Sequence, residues 1–165
     1  MHFRLFQLTI AMTINTTDIV VRKVTSTDLE SVLELVYELA VYEKEPEAVT
    51  ANINTYRQSF ELGHFDAFVA EVNHDVIGVA LYYRRFSTWK GPILYLEDFV
   101  VRSDQRGKGI GTKLFEAFLA EARSQNVPLA MWQVLDWNAP AIHFYDKYDV
   151  EYEDIWLNVK IWLKD

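Results

Sequence analysis

Residues 93–122 impose a strand, a glycine-rich turn and a helix in immediate succession. Ile93, Tyr95, Glu97, Phe99 and Val101 alternate onto one face of the strand, and Leu94, Leu96, Asp98 and Val100 onto the other. Both faces are mostly apolar, which predicts a central, buried strand. Behind the turn, Ile110, Leu114, Phe118 and Ala122 recur at helical spacing. The first N–H groups of a helix have no intrahelical acceptor, and the helix dipole adds partial positive charge there. Glycine lets backbone approach a ligand closely and adopt a positive φ. With Arg106 and Lys108 adding charge, the turn reads as a cradle for phosphate or pyrophosphate. A bare glycine cluster reads equally well as a tight turn with a solvated basic pair.

Spacing narrows the choice. A dinucleotide fingerprint needs Gly-x-Gly-x-x-Gly, whereas the run here is Gly107-x-Gly109-x-Gly111. The Gly-x-x-x-x-Gly-Lys run of a P-loop is absent from the sequence. What stands behind the strand is Arg106-x-x-Gly109-x-Gly111.

A chain of 165 residues predicts one domain with a proper core, and we expect it over 12–165. Residues 1–11 read as a loose extension or an overcalled start, because Met12 precedes a polar run and the first convincing strand. They are apolar but too few to span a membrane. The net charge of −8 argues against nucleic acid and is compatible with small cationic substrates. The absence of cysteine rules out disulfides and a cysteine nucleophile, and fits a reducing cytoplasm.

Taken in order, Ile19–Val24 predicts a strand, and Thr27 with Glu30 a capping box. Leu29, Val32, Leu33, Val36 and Leu39 form the apolar face of a first helix. Glu43, Glu45 and Glu47 follow in a loop, either solvated or an acidic rim for a cation. A weaker helix spans 50–62, ended by Gly63. Residues 67–86 predict a hairpin turning at Asn73-His74-Asp75, with Gly78 at a bulge or close approach. Pro128–Leu135 predicts a further strand. Asn138 is suited to cap a helix with Pro140 in its first turn, and 151–162 predicts the last strand or strands.

This element order around an Arg-x-x-Gly-x-Gly loop resembles the GNAT acetyltransferase superfamily. Within it the chain is similar to the spermidine/spermine and thialysine N-acetyltransferases. The resemblance is carried by Glu38-Leu39-Ala40 with Tyr42-Glu43, Leu81-Tyr82-Tyr83, Ser87-Thr88-Trp89-Lys90-Gly91, Tyr95-Leu96-Glu97-Asp98, and Leu135-Asp136-Trp137-Asn138 with Phe144-Tyr145. The Ser-Thr-Trp-Lys-Gly and Leu-Asp-Trp-Asn stretches look more like the thialysine branch. The helix bearing Tyr145 ends with a glycine in that family; here Tyr148-Asp149-Val150 stands there.

The resemblance implies an α/β (α+β) GNAT fold. Its central mixed, mostly antiparallel sheet has six to seven strands and is flanked by about four helices. It also implies acetyl-CoA as cosubstrate, a small-molecule amine as acceptor, no metal, and a homodimer with the last strands near its interface. Glu97 is then expected to assist deprotonation of the amine, and Tyr145 to protonate the departing thiolate. The cosubstrate is expected on Arg106, Gly107, Lys108, Gly109, Ile110, Gly111 and Thr112. The N–H groups of Phe99, Val100 and Val101 are candidates for the oxyanion. Asn138 either contacts the pantetheine arm or caps its helix. The acceptor is expected near Glu43, Arg84, Trp89, Glu97 and Asp98. Of Arg84 and Arg85, alternation sends only one toward a given face.

Other chemistry is poorly supported. His2, His64, His74 and His143 lack metal-ligand spacing, and no Gly-x-Ser-x-Gly elbow occurs. The alternatives are a polyamine acetyltransferase and a silent acyl-CoA-binding module. The joint presence of Glu97 and Tyr145 favours an enzyme.

Overall fold

The computed structural model describes residues 19–163, so the expected extension over 1–11 and Met12 lie outside the described residues. The chain divides into a unit through Trp132 and a second from Gln133.

The first unit contains β1 (Val20–Lys23), α1 (Leu29–Tyr42), α2 (Ile53–Glu61), β2 (Asp66–Val72), β3 (Asp75–Ser87), β4 (Gly91–Val101), α3 (Ile110–Ser124) and β5 (Leu129–Trp132). The five strands form one sheet in the order β1-β2-β3-β4-β5. The first four are antiparallel to their neighbours, and β5 runs parallel to β4.

Local chemistry explains most boundaries. A 3-10 turn at Ser26–Asp28 precedes α1, so the capping box falls two residues upstream of the expected one. Thr25 donates to Asp28 Oδ2 from its backbone N–H at 2.7 Å and its hydroxyl at 2.8 Å. Glu30, expected to cap, instead accepts from Arg57 Nη2 at 2.7 Å. Asn52 caps α2, and Gly63 closes it at φ 69° while the His64 N–H reaches Ser59 O. The β2–β3 turn places Asn73 and His74 both at positive φ, as a two-residue hairpin turn requires.

The sheet is covered on two faces. Leu29, Val32 and Leu35 of α1 share a core with Val69, Val79 and Leu81. Phe118 of α3 packs on the opposite side, 5.8 Å from the Tyr82 ring. Gly78 is the close approach the sequence predicts: a Cβ there would meet Leu114 Cδ1 at 3.0 Å. The β2–β3 register shifts beside it, between Ala70 and Glu71.

The strand number is corrected. Five strands stand among the described residues, against the expected six to seven. β5 ends at Trp132 and not at Leu135. Residues 151–163 form no strand. Their alternation of Ile, Val and Trp suits a ladder, but a strand needs a neighbour to accept its hydrogen bonds. Here Ile155, Leu157, Val159 and Ile161 are each at least 78% exposed.

The second unit contains α4 (Ala139–Tyr145). Asn138 caps it as expected, its Oδ1 accepting from the Ala141 N–H at 3.3 Å, with Pro140 in the first turn. Past α4 the Tyr148 N–H bonds Tyr145 O and the Val150 N–H bonds Tyr148 O. Asp149 is not left-handed, so this turn does without the glycine that the resemblance led us to expect.

Candidate active site

The β3–β4 ladder contains one irregularity. Leu81 pairs with Asp98 but Tyr82 pairs with Leu96, leaving Glu97 as the extra residue of a bulge. Strict alternation puts neighbouring side chains on opposite faces. The bulge cancels that, and Glu97 and Asp98 both line one cavity of about 270 Å³ with Tyr56, Ser59, Phe65 and Leu81. Glu97 is exposed and Asp98 half-buried.

Charge in this cavity is concentrated. Burial, then the charges of Glu97 and Glu43, push the Asp98 carboxyl up to about 6. Glu43, which caps the C-terminus of α1, is itself raised by burial. The Tyr56 hydroxyl is pushed up to about 12 by burial, then by Asp98 and Glu97. Tyr83 is raised by burial, then by the charge and hydrogen bond of Glu97. Two carboxylates therefore line the cavity and the charge of a third, Glu43, reaches Asp98, an arrangement that favours a cation.

Past Val101, the chain makes a 3-10 turn at Ser103–Gln105 and then enters α3. Gly107 and Gly109 take φ of 77° and 79°, and no heavy atom lies within 4 Å of a Cβ built on either. Gly109 is the N-cap of α3 and offers no side-chain acceptor to the first N–H groups, those of Ile110, Gly111 and Thr112. Arg106 Nε donates to Val101 O at 3.0 Å, and its guanidinium lies 5.2 Å from the Tyr42 ring centre. Lys108 Nζ donates to Gln105 Oε1 at 2.8 Å. Both side chains are thereby fixed to the turn. Its shape and charge fit a pyrophosphate.

The other expected residues are distributed as follows. Phe99, Val100 and Val101 continue β4 beyond the β5 ladder, which stops at Leu96 and Trp132, while pairing with β3 continues to Val101. Asn138 and Tyr145, both buried, belong to α4 of the second unit, and burial raises the Tyr145 hydroxyl above its ordinary range. Arg84 lines a different cavity, of about 690 Å³, with His64, Asp66, Tyr82 and Gln125. Trp89, 81% exposed at the β3–β4 turn, lines neither cavity. Arg85 lies 5.6 Å from the Tyr95 ring centre and its charge reaches Tyr83.

Sequence reasoning did not single out Tyr56 or Ser59. They come from α2, whose packing onto the sheet leaves no local signal.

A glycine turn whose shape and charge suit a phosphate and a cavity lined by two carboxylates both lie along β4. Comparison with known proteins gives the family. The chain matches the Acetyltransferase (GNAT) family over residues 29–149. It is 32% identical to a thialysine N-epsilon-acetyltransferase of Caenorhabditis elegans, over 76% of this chain and 79% of that protein. Identity to the Bos taurus protein of the same name is 33%, over 77% and 81%. Among solved structures, a soil-metagenome aminoglycoside acetyltransferase in complex with trehalose superimposes with a TM-score of 0.75 at 17% identity, covering 90% of this chain and 98% of that one. An aminoglycoside N-acetyltransferase in complex with CoA gives 0.70 at 16%, covering 87% and 94%. The chain belongs to the GNAT acetyltransferase family and is an acetyl-CoA N-acetyltransferase of that type.

Proposed function

We propose that this enzyme acetylates the side-chain amine of a small amino acid such as thialysine. The observation that carries the reading is the β4 bulge, which sends two consecutive carboxylates into one cavity, with the charge of Glu43 acting on Asp98. An alkylammonium has a pKa near about 10, so it enters charged and has to lose a proton before it can attack. Glu97 assists that loss. The free amine then attacks the thioester carbonyl of acetyl-CoA directly. The pyrophosphate rests on residues 106–112, and the oxyanion is met by N–H groups of residues 99–101. Tyr145 gives a proton to the departing thiolate, and Asn138 is assigned to the pantetheine arm.

Arg85 supplies the distinction between acceptors. A guanidinium near an acidic cavity binds an amino-acid carboxylate bidentately and repels a polycation. Residues 12–165 act as one catalytic domain, which we assign to the cytoplasm. Residues 151–163, alternating and largely exposed, supply the interface of a homodimer.

The test is a competition between thialysine and spermidine for limiting acetyl-CoA. Preferential acetylation of thialysine is expected. Preference for spermidine overturns the acceptor and leaves the acetyltransferase intact.

A further inference from the structure

We propose that Glu38 and Tyr42 of α1 are positioning residues for the donor: they hold the turn that feeds the phosphate cradle, and through that turn they set the affinity for coenzyme A. The inference deepens the cradle reading given above for residues 106–112 and rests on it.

The two residues stand four apart, hence on one face of α1. The Ser103 backbone N–H donates to Glu38 Oε1 at 2.8 Å, across 65 positions of sequence. One turn further along the helix, the Tyr42 ring centre lies 5.2 Å from the Arg106 guanidinium. One helix face therefore meets both ends of segment 103–106, which carries the chain from β4 into the glycines.

The turn needs such a partner. Ser103–Gln105 is a single 3-10 turn, and its first N–H has no acceptor inside it. Arg102, its N-cap, supplies none, because its side chain donates to Asp75 Oδ2 at 2.7 Å and to Asp104 Oδ1 at 2.9 Å. Glu38 takes over from another element the role a capping side chain ordinarily plays. An anion set three residues before a pyrophosphate cradle opposes the charge of the ligand. Its place is explained by the N–H it accepts, not by attraction to the donor.

The cations of the cradle depend on the same turn. Arg106 Nε donates to Val101 O at 3.0 Å, which fixes one edge of the guanidinium, and the Tyr42 ring fixes a face. Gln105 is buried, and its Oε1 accepts from Lys108 Nζ at 2.8 Å. A displaced turn therefore moves Arg106 and Lys108 together. A held one presents both cations already ordered, so less freedom is lost when the ligand arrives.

The experiment is calorimetric titration of CoA into the folded protein, with the melting temperature of the unliganded protein measured alongside. The variants are Glu38→Ala, Glu38→Gln, Tyr42→Leu, Tyr42→Phe and Gly109→Val. E38A is expected to raise the Kd for CoA about 10-fold, the scale of one charge-assisted hydrogen bond. E38Q keeps an oxygen acceptor without the charge and should stay within about threefold of wild type. Y42L should weaken CoA about fivefold, whereas Y42F keeps the ring and should stay within about twofold. The Tyr42 pair decides the matter if E38A does not fold. Residues that merely support the fold would lower the melting temperature and leave the Kd of the folded protein where it was. That result in E38A and Y42L, or E38Q as weak as E38A, overturns the proposal. G109V reads the cradle itself. If G109V weakens CoA while E38A and Y42L do not, this inference alone falls; if G109V leaves the Kd unchanged, the cradle reading falls and this inference with it.

Discussion

Arg22 grips Asp28 through two hydrogen bonds, from Nη1 to Oδ2 at 2.7 Å and from Nη2 to Oδ1 at 2.9 Å. The same guanidinium reaches Glu71 Oε2 at 2.6 Å, so it ties β1, the turn before α1 and β2 together. The Arg22 bond, and then the Thr25 bonds, hold the Asp28 carboxyl down at about 2. A depressed carboxylate stabilises the folded state above its unfolded pKa of about 4. That contribution is lost as pH falls from about 4 through about 2. At about 1.4 kcal/mol per pK unit, it amounts to ~2 kcal/mol. Asp28→Asn is expected to lose most of this at pH 7. In urea melts, the gap between wild type and D28N should close as the pH falls toward 2.

Gly78 offers a second stability test. A Cβ there meets Leu114 Cδ1 at 3.0 Å and Val100 O at 3.1 Å. The leucine tip can rotate, but the β4 carbonyl is held by its strand. Gly78→Ala should therefore strain the β3–β4 pairing and cost about 1–3 kcal/mol, and Gly78→Val more. Thermal unfolding reads the loss. A melting temperature equal to wild type for both variants would show that the β3–β4 pairing gives way freely.

These two residues illustrate how far the sequence can be read. Gly78 is legible because a glycine inside an apolar strand has few reasons to be there. The α3 face, the Asn138 cap and the Asn73-His74 turn are legible for the same reason, since each rests on residues within a few positions of one another. Arg22 is not, because its partners come from different elements. Nor is the shared cavity of Glu97 and Asp98: a bulge depends on where the facing strand resumes its register, and simple alternation separates the two. The segment 151–163 marks the opposite limit. Its composition says strand, yet a strand exists only where a neighbour pairs with it.

For Gly109, φ of 79° is left-handed, a region costly for a β-branched residue. No protein atom would touch a new Cβ, so the added bulk projects where phosphate is expected. Gly109→Val is expected to raise the KM for acetyl-CoA by about 10-fold or more, since even 1.4 kcal/mol of lost binding is tenfold. An unchanged KM would sink the cradle assignment.

The exposed run Ile155, Trp156, Leu157, Val159, Ile161 and Trp162 predicts self-association. A buried tryptophan alone covers about 150–250 Å². Both copies contribute the run, so the buried total falls in the range of about 1,200–2,000 Å² or above, typical of stable interfaces. Sedimentation should show a dimer at micromolar concentration, and removal of residues 155–165 should give a monomer. A monomeric full-length chain counts against this use of the segment.

Tyr145 acts last in the proposed sequence. It is buried at the end of α4, and burial, with the nearby Tyr152, keeps its hydroxyl protonated well above neutral pH. A donor must hold its proton until the thiolate develops, and Tyr145 does so throughout the working range. A free thiol titrates near about 8.5, so transfer from tyrosine is uphill and has to accompany C–S cleavage, completing as the amide nitrogen sheds its own proton. Tyr145→Phe removes one hydroxyl and almost no volume, so packing of α4 is preserved. On this mechanism kcat falls by about 10²-fold, the ordinary scale of general acid catalysis. The KM for acetyl-CoA stays within about twofold, because the lost interaction belongs to the transition state. The wild type should show no loss of kcat from tyrosine ionisation below about pH 10, since a raised hydroxyl loses its proton only above its ordinary range. Steady-state kinetics across that range, with thiol release as the signal, measures all three quantities. A Y145F enzyme within about threefold of the wild-type kcat would leave Tyr145 as a packing residue and require another donor for the thiolate.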